Sequence, residues 1–263
     1  MKGHLASALL TLTALGASIA PSAAHGASKQ VVTVGTEGVY APFTFLDEKG
    51  ELTGYDVEVV KEIAKRVDLE VKFLPTPWDS MFLGLDSKKF DLIANQIAKN
   101  TEREKKYLFS DSYLISGVQI IVRGDRPGTF SNGLSDLKGL KVGTSVGSNY
   151  SKLLEEFNAK NGKSFDVKYY DGNVSVVLQD ISNGRLDATL NDRLTVGFNV
   201  KKLGLNAKPV GAPIALEPSH LVVRKDKESE ALLQKINQGL AAVKKDGTLA
   251  KLSEKWFGAD YTK

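Results

Sequence analysis

Few residue types in this chain are able to do covalent or metal chemistry. There is no cysteine, and the three histidines, His4, His25 and His220, are scattered. No cluster of metal donors and no nucleophile–base triad stands out, so neither a metal nor a cofactor is expected. Charge pairing and hydrogen bonding remain. Arg103 carries a planar fork of donors that takes both oxygens of a carboxylate and is charged at any relevant pH. Ser148 and Asn149 precede a helical pattern over 150–157, where free N–H groups suit an anion. The same two side chains also suit simple capping. Asp192 is a carboxylate at a strand end, costly in a cleft unless paired. Asn95 and Gln96 offer both donors and acceptors. Tyr40 and Trp78 lie at loop edges beside Pro42 and Pro77, although aromatic rings more often belong to cores.

Strand and helix patterns alternate around these positions. Residues 31–35 read as a first strand, 71–74 as a second and 90–95 as a third. Between them, Val57, Val60, Ile63, Ala64 and Val67 recur at helical spacing. Asp56 is expected to cap that helix, with Glu58 in its first turn. Residues 78–85 read as a short helix. The alternation argues for βαβ units and a mostly parallel sheet.

The pattern then recurs. Residues 34–38 (VGTEG) have a counterpart in 142–147 (VGTSVG), and 89–95 (KFDLIAN) in 185–191 (RLDATLN). Two α/β lobes of the same type follow. Apolar runs at 117–123 and 220–224 mark the crossings between them. If these runs pair, the second lobe is an insertion, and the amphipathic segment 226–257 returns to the first. Asp246 or Thr248 can start its last helix and Gly258 can end it.

At 263 residues, 42% apolar and 25% charged, the chain can build a sizeable core. Lys2, the apolar run 5–19 and the small residues Ser22, Ala23 and Ala24 spell a secretory signal, with cleavage expected after Ala24. That run is too short for a membrane span. No cysteine follows to carry a lipid anchor, so a periplasmic location and a monomer are expected. The net charge of +4 is interspersed, as in Lys61–Glu62 and Glu102–Arg103–Glu104, with no nucleic-acid stripe.

The string 54–67 (GYDVEVVKEIAKRV) resembles, at every defined position, the signature of the family 3 extracellular solute-binding proteins, periplasmic amino-acid receptors of ABC importers. The resemblance extends through YAPF (40–43), TER (101–103), YLFS (107–110), GRLDA (184–188) and KWFG (255–258). ANQI (94–97), EREKKY (102–107), NDRL (191–194) and LSEKWFGAD (252–260) look like the cystine-binding branch. It implies a two-lobed periplasmic binding protein fold (type II). Each lobe would be a mostly parallel sheet flanked by helices, the two joined by a two-strand hinge. Lobe 1 would hold residues 30–117 and 219–263, and lobe 2 residues 118–218, after a signal peptide at 1–24.

The resemblance also assigns roles. Arg103 takes the place of the arginine that clamps the ligand α-carboxylate, with Ser148 and Asn149 on its second-lobe side. Asp192 would take the α-ammonium, and Trp78 and Tyr40 would wall the side chain. Glu37 departs from the aspartate of cationic amino-acid receptors and suits a distal positive group. Cystine, lysine, arginine and ornithine all supply one. Asn95, Gln96 and Ala98 replace the serines of basic-amino-acid receptors, which favours a distal zwitterion. The implied function is capture of an amino acid, with cystine preferred, and delivery to a membrane permease. An exported enzyme on the same fold, such as a dehydratase, and a sensor domain are the alternatives.

Overall fold

The computed structural model describes residues 29–263. The expected leader, residues 1–24, and His25 lie outside them. β1 (Gln30–Thr36) is followed by a small antiparallel sheet of β2 (Val39–Tyr40), β3 (Thr44–Leu46) and β4 (Leu52–Thr53). Then come α1 (Tyr55–Arg66) and β5 (Leu69–Pro75). A 3-10 turn at Trp78–Ser80 runs into α2 (Met81–Asp86), and β6 (Leu92–Ala98), α3 (Thr101–Lys106) and β7 (Tyr107–Phe109) complete the first run. β8 (Leu114–Arg123) leads into a second run of β9 (Lys141–Ser145), α4 (Asn149–Asn161), β10 (Asp166–Tyr170), α5 (Val174–Ser182), β11 (Ala188–Asp192) and α6 (Arg193–Leu203). The long β12 (Ala207–Arg224) returns, and α7 (Lys227–Lys245) and α8 (Thr248–Phe257) follow.

The strands are ordered β10-β9-β11-β8-β12-β6-β1-β5, with β7 beside β12. β5, β1 and β6 are parallel, as are β10, β9 and β11. The antiparallel β8 and β12 join the two trios. This is the expected two-lobed α/β fold, with each parallel trio flanked by its own helices. The crossing differs in register from the sequence reading. Leu114–Val118 pairs with Ala215–Ser219, whereas Val222–Arg224 pairs with β7 and Val222 and Val223 also with β6. Among the described residues no helix is long and apolar enough to cross a membrane.

α1 buries Val57, Val60, Ile63 and Ala64, the face its spacing predicts. Its start is different. Gly54 precedes the first turn at φ 128°, and a Cβ there would fall 2.3 Å from the Phe43 carbonyl oxygen. Only glycine tolerates both conditions. Asp56 is therefore inside the helix, makes no cap, and is fully buried. Leu232, Ile236, Leu240 and Val243 of α7 are buried in the core that α1 lines, and burying each is worth roughly 2 kcal/mol. Gly239 lets α7 approach Ile63 closely, since a Cβ there would meet its Cγ2 at 2.8 Å.

β6 starts two residues later than the pattern suggests and runs on to Ala98. Phe90 instead plugs the space left by Gly35 and Gly84, where a Cβ would overlap its ring. Asp91 leaves the strand to accept from Thr33 N–H and Arg224. Farther along, Ile97 pairs with His220 but Ile93 pairs with Val222, so residues 94–96 face Leu221 alone. Such a bulge bends a strand and re-aims its side chains. It falls on Asn95 and Gln96.

Candidate ligand-binding site

The lobes face each other across a cavity with about 480 Å³ of atom-free space, partly open to solvent. Its wall brings together Glu37, Tyr40, Trp78, Asn95, Gln96, Ala98 and Arg103 from one side and Ser148 and Asn149 from the other. Asp192 is not on this wall.

Arg103 is placed by α3. Asn100 caps that helix, accepting from Glu102 N–H and Arg103 N–H. Arg103 is buried, with the Trp78 ring 5.5 Å and the Phe82 ring 4.8 Å from its guanidinium. It donates to Ala98 O at 2.9 Å and, across the lobes, to Gly147 O at 3.3 Å. An arginine has five donors, so the fork keeps others for a ligand. Burial lowers its pKa to about 10, partly offset by Glu217, and it stays charged at neutral pH.

On the facing lobe Ser148 caps α4, its hydroxyl accepting from Ser151 N–H at 3.0 Å. Ser148, Asn149 and Tyr150, at the N-terminus of α4, line the same cavity as Arg103. Asn149 bridges the lobes: its carbonyl accepts from Asn100 at 2.8 Å and its amide donates to Glu217 at 3.3 Å.

Glu37 forms the other charged end. Its backbone N–H donates to Asn95 Oδ1 and its Oε2 accepts from Asn95 Nδ2, both at 2.8 Å. Burial pushes its pKa up to about 7, with the Asn95 amide pulling it down and Asp171 adding to the rise. Gly172 of the second lobe lies against it. A Cβ on Gly172 would sit 2.8 Å from Trp78 Cβ and 2.9 Å from Glu37 Oε1.

Asp192 stands behind this wall at the start of α6. Its Oδ1 accepts from Leu194 N–H at 2.8 Å and Thr195 N–H at 3.2 Å. Burial raises its pKa, offset in part by the polar groups around it, Ser116, Thr195 N–H, Gln96 and Leu194 N–H. The buried hydroxyls Ser116 Oγ and Thr195 Oγ1 have no hydrogen-bond partner among the described residues. Tyr40 closes this region, donating to Asn191 Oδ1 at 3.2 Å.

Sequence reasoning missed Ser145, Tyr150, Gly172, Asn191 and Glu217, which also line the cavity. Tyr150 and Asn191 adjoin predicted residues and were within reach of that logic. Glu217 lies in a strand that carries Pro209, Pro213 and Pro218, and prolines argue against a strand in sequence. Burial raises the Glu217 pKa too. His220 is not on the wall, and no metal-binding cluster exists among the described residues.

Several bonds span the lobes directly. Trp78 Nε1 donates to Val146 O at 2.9 Å, Asn199 Nδ2 to Ala41 O at 2.9 Å, and Lys152 pairs with Glu102 at 2.8 Å. The arrangement is closed.

The bacterial extracellular solute-binding proteins, family 3, match this chain over residues 32–259. The L-cystine-binding protein TcyJ of Escherichia coli strain K12 is 43% identical over 230 residues, 88% of this chain and 84% of that protein. A solved structure described as a putative L-cystine ABC transporter from Listeria monocytogenes superposes with a TM-score of 0.80 at 37% identity, covering 89% of this chain and 98% of that one. An ancestral arginine-binding protein bound to arginine gives a TM-score of 0.80 at 36% identity, covering 88% and 100%.

Proposed function

This chain belongs to the bacterial extracellular solute-binding proteins of family 3, and from that premise we propose that it captures L-cystine in the periplasm and hands it to an ABC importer. It is a receptor and not an enzyme, and its partners are an amino acid and the importer's permease. Release as a soluble monomer by cleavage after Ala24 completes the proposal. We place lobe 1 at residues 30–117 and 219–263 and lobe 2 at 118–218, hinged where β8 crosses β12.

One carboxylate of the ligand lies on Arg103 and the N-terminus of α4. The adjacent ammonium goes to Asp192, supported by its burial with no cation paired to it, and by Ser116 and Thr195 hydroxyls with no hydrogen-bond partner, among the described residues. Glu37 takes the distal ammonium, Gln96 the distal carboxylate, and Trp78 and Tyr40 flank the disulfide. Sulfur against an aromatic ring adds a modest increment. Glu37 carries the reading: a buried carboxylate facing the cavity, with no cation paired to it among the described residues, calls for a ligand with a second positive group.

A basic amino acid is the second reading. Among the described residues Glu37 and Glu217 line the cavity against a single arginine, which suits a ligand of net positive charge. A thermal-shift panel on unfolded and refolded protein decides between them, because a ligand that binds only the native state raises the melting temperature. A shift with cystine and none with arginine or lysine is expected. The reverse pattern discards cystine, and no shift with any amino acid discards the receptor reading.

The Glu37 pKa makes a further prediction. In the closed, ligand-free cleft Glu37 is protonated below about pH 7. A ligand ammonium pairs only with the carboxylate, so binding expels that proton. The free protein then holds more protons than the complex below pH 7, and affinity falls as pH falls, by up to about tenfold per unit. A neutral amino acid lacks this linkage at Glu37. Calorimetry at pH 8 and pH 5 should therefore show a steeper loss for cystine than for a neutral ligand, and Glu37→Gln should remove the difference.

A further inference from the structure

Gln96 has φ 48°, the left-handed region that a residue with a Cβ enters at a cost. It does so in the β6 bulge, where residues 94–96 have lost ordinary ladder pairing against β12. Something outside the ladder must hold this backbone. Gln96 N–H donates to Asp56 Oδ2 at 2.6 Å. The second Asp56 oxygen accepts from Tyr113 Oη at 2.9 Å. Tyr113 is itself fixed, its N–H donating to Ser219 O at 3.0 Å and its carbonyl accepting from Tyr55 Oη at 3.0 Å. Asp56 N–H is tied to Phe43 O at 3.0 Å.

All the supporting groups are fully buried. Asp56, Tyr55, Tyr113 and Phe43 are all at 0% exposure. No cation pairs with Asp56 among the described residues. Burying an unpaired carboxylate is expensive, and a helix interior does not require one. A small apolar residue would fill the α1 position at less cost to stability. Beyond the helix the carboxylate accepts from Tyr113 Oη with one oxygen, and with the other it fixes the strained peptide at the cleft.

We propose that Asp56 is a positioning residue for ligand recognition, holding Gln96 in its left-handed conformation so that the Gln96 amide faces the cleft. This rests on the receptor reading above, which gives Gln96 a ligand to meet. The same anchor links α1 to the start of β8 through Tyr113, so the cleft residue and the hinge strand share one support.

The test is calorimetry with L-cystine and with L-arginine on refolded protein. Asp56→Ala should weaken binding of the ligand that binds by roughly tenfold to a hundredfold, the effect of leaving a buried donor unheld. In a Gln96→Ala background the same substitution should cost almost nothing further. An equal loss in both backgrounds overturns the proposal, since Asp56 would then act without Gln96. Asp56→Asn keeps an acceptor for Gln96 N–H and should restore most of the affinity. Tyr113→Phe should lower the melting temperature and cost less affinity than Asp56→Ala. If Asp56→Ala does not fold, Asp56→Asn and hydrogen exchange on the unaltered chain decide: slow exchange at Gln96 N–H, faster in Asp56→Asn, is expected. Fast exchange in the unaltered chain overturns the anchor, whatever ligand binds. Failure of every amino acid to bind sinks the receptor reading instead and leaves the exchange result standing.

Discussion

Arg103→Ala abolishes measurable binding of every amino acid while the protein remains folded: this is the expected result. Among the described residues the guanidinium is the one cation on the cavity wall, and each amino acid brings the same carboxylate to it. Truncating one partner of a buried, hydrogen-bonded charge pair costs roughly 2–5 kcal/mol, or about thirty- to several-thousand-fold in affinity. The loss also reaches the lobes themselves. Arg103 bonds Ala98 O on its own side and Gly147 O on the other, so the closed form forfeits a tie even before a ligand arrives. Arg103→Lys separates charge from geometry. An ammonium keeps the attraction but lacks the fork, so intermediate affinity is expected. Calorimetry with cystine, arginine and a neutral amino acid reads all three proteins. Affinity within tenfold of the unaltered protein for Arg103→Ala would remove Arg103 from the carboxylate clamp.

Gly172→Val should be nearly as damaging, for a steric reason. Gly172 has φ 122°, which a side chain strains by about 1–3 kcal/mol in any state of the cleft. The closed state adds an overlap, because a Cβ would press on Trp78 Cβ and Glu37 Oε1. The Trp78 contact is close to the backbone and cannot swing away. The two penalties have different signatures. Backbone strain lowers the melting temperature of the ligand-free protein by a few degrees. The overlap acts only on closure, so it suppresses the ligand-induced rise and weakens every ligand by about a hundredfold or more. A normal ligand-induced rise in Gly172→Val would show that the lobes need not approach this closely to bind.

Some of this architecture can be read in the sequence and some cannot, for physical reasons. The buried face of α1 follows from spacing alone, because helical periodicity is local. The role of Asp56 does not. An aspartate near a helix start reads as a cap, and only the φ of Gly54 and the proximity of Phe43 move the start and place the carboxylate inside. The crossing strands show the same limit. An apolar run at 117–123 announces a strand but not its partner, and the pairing with a proline-bearing β12 depends on residues about a hundred positions away. Arg103, Glu37, Trp78 and Ser148 were legible because their types suit a carboxylate, an ammonium and a wall, and the family resemblance gave them a common place. Glu217 and Gly172 carry no such signal. One matters through a hinge strand and the other through what it omits. The resemblance gives Asp192 a ligand role, whereas the structure places it behind the cavity wall, where it caps α6.

The bond from the Trp78 indole to Val146 O has an optical consequence. The chain contains two tryptophans, and the second, Trp256, packs against Phe45 away from this contact. An indole that exchanges a carbonyl and a nearby guanidinium for bulk water emits at longer wavelength. The molecule thus carries its own chromophore at the seam between its halves. Titration of cystine into unlabelled protein should shift its emission towards the blue, and Trp78→Phe should leave a steady background from Trp256. Millisecond mixing would then time the closing of the lobes in native material, with no dye attached.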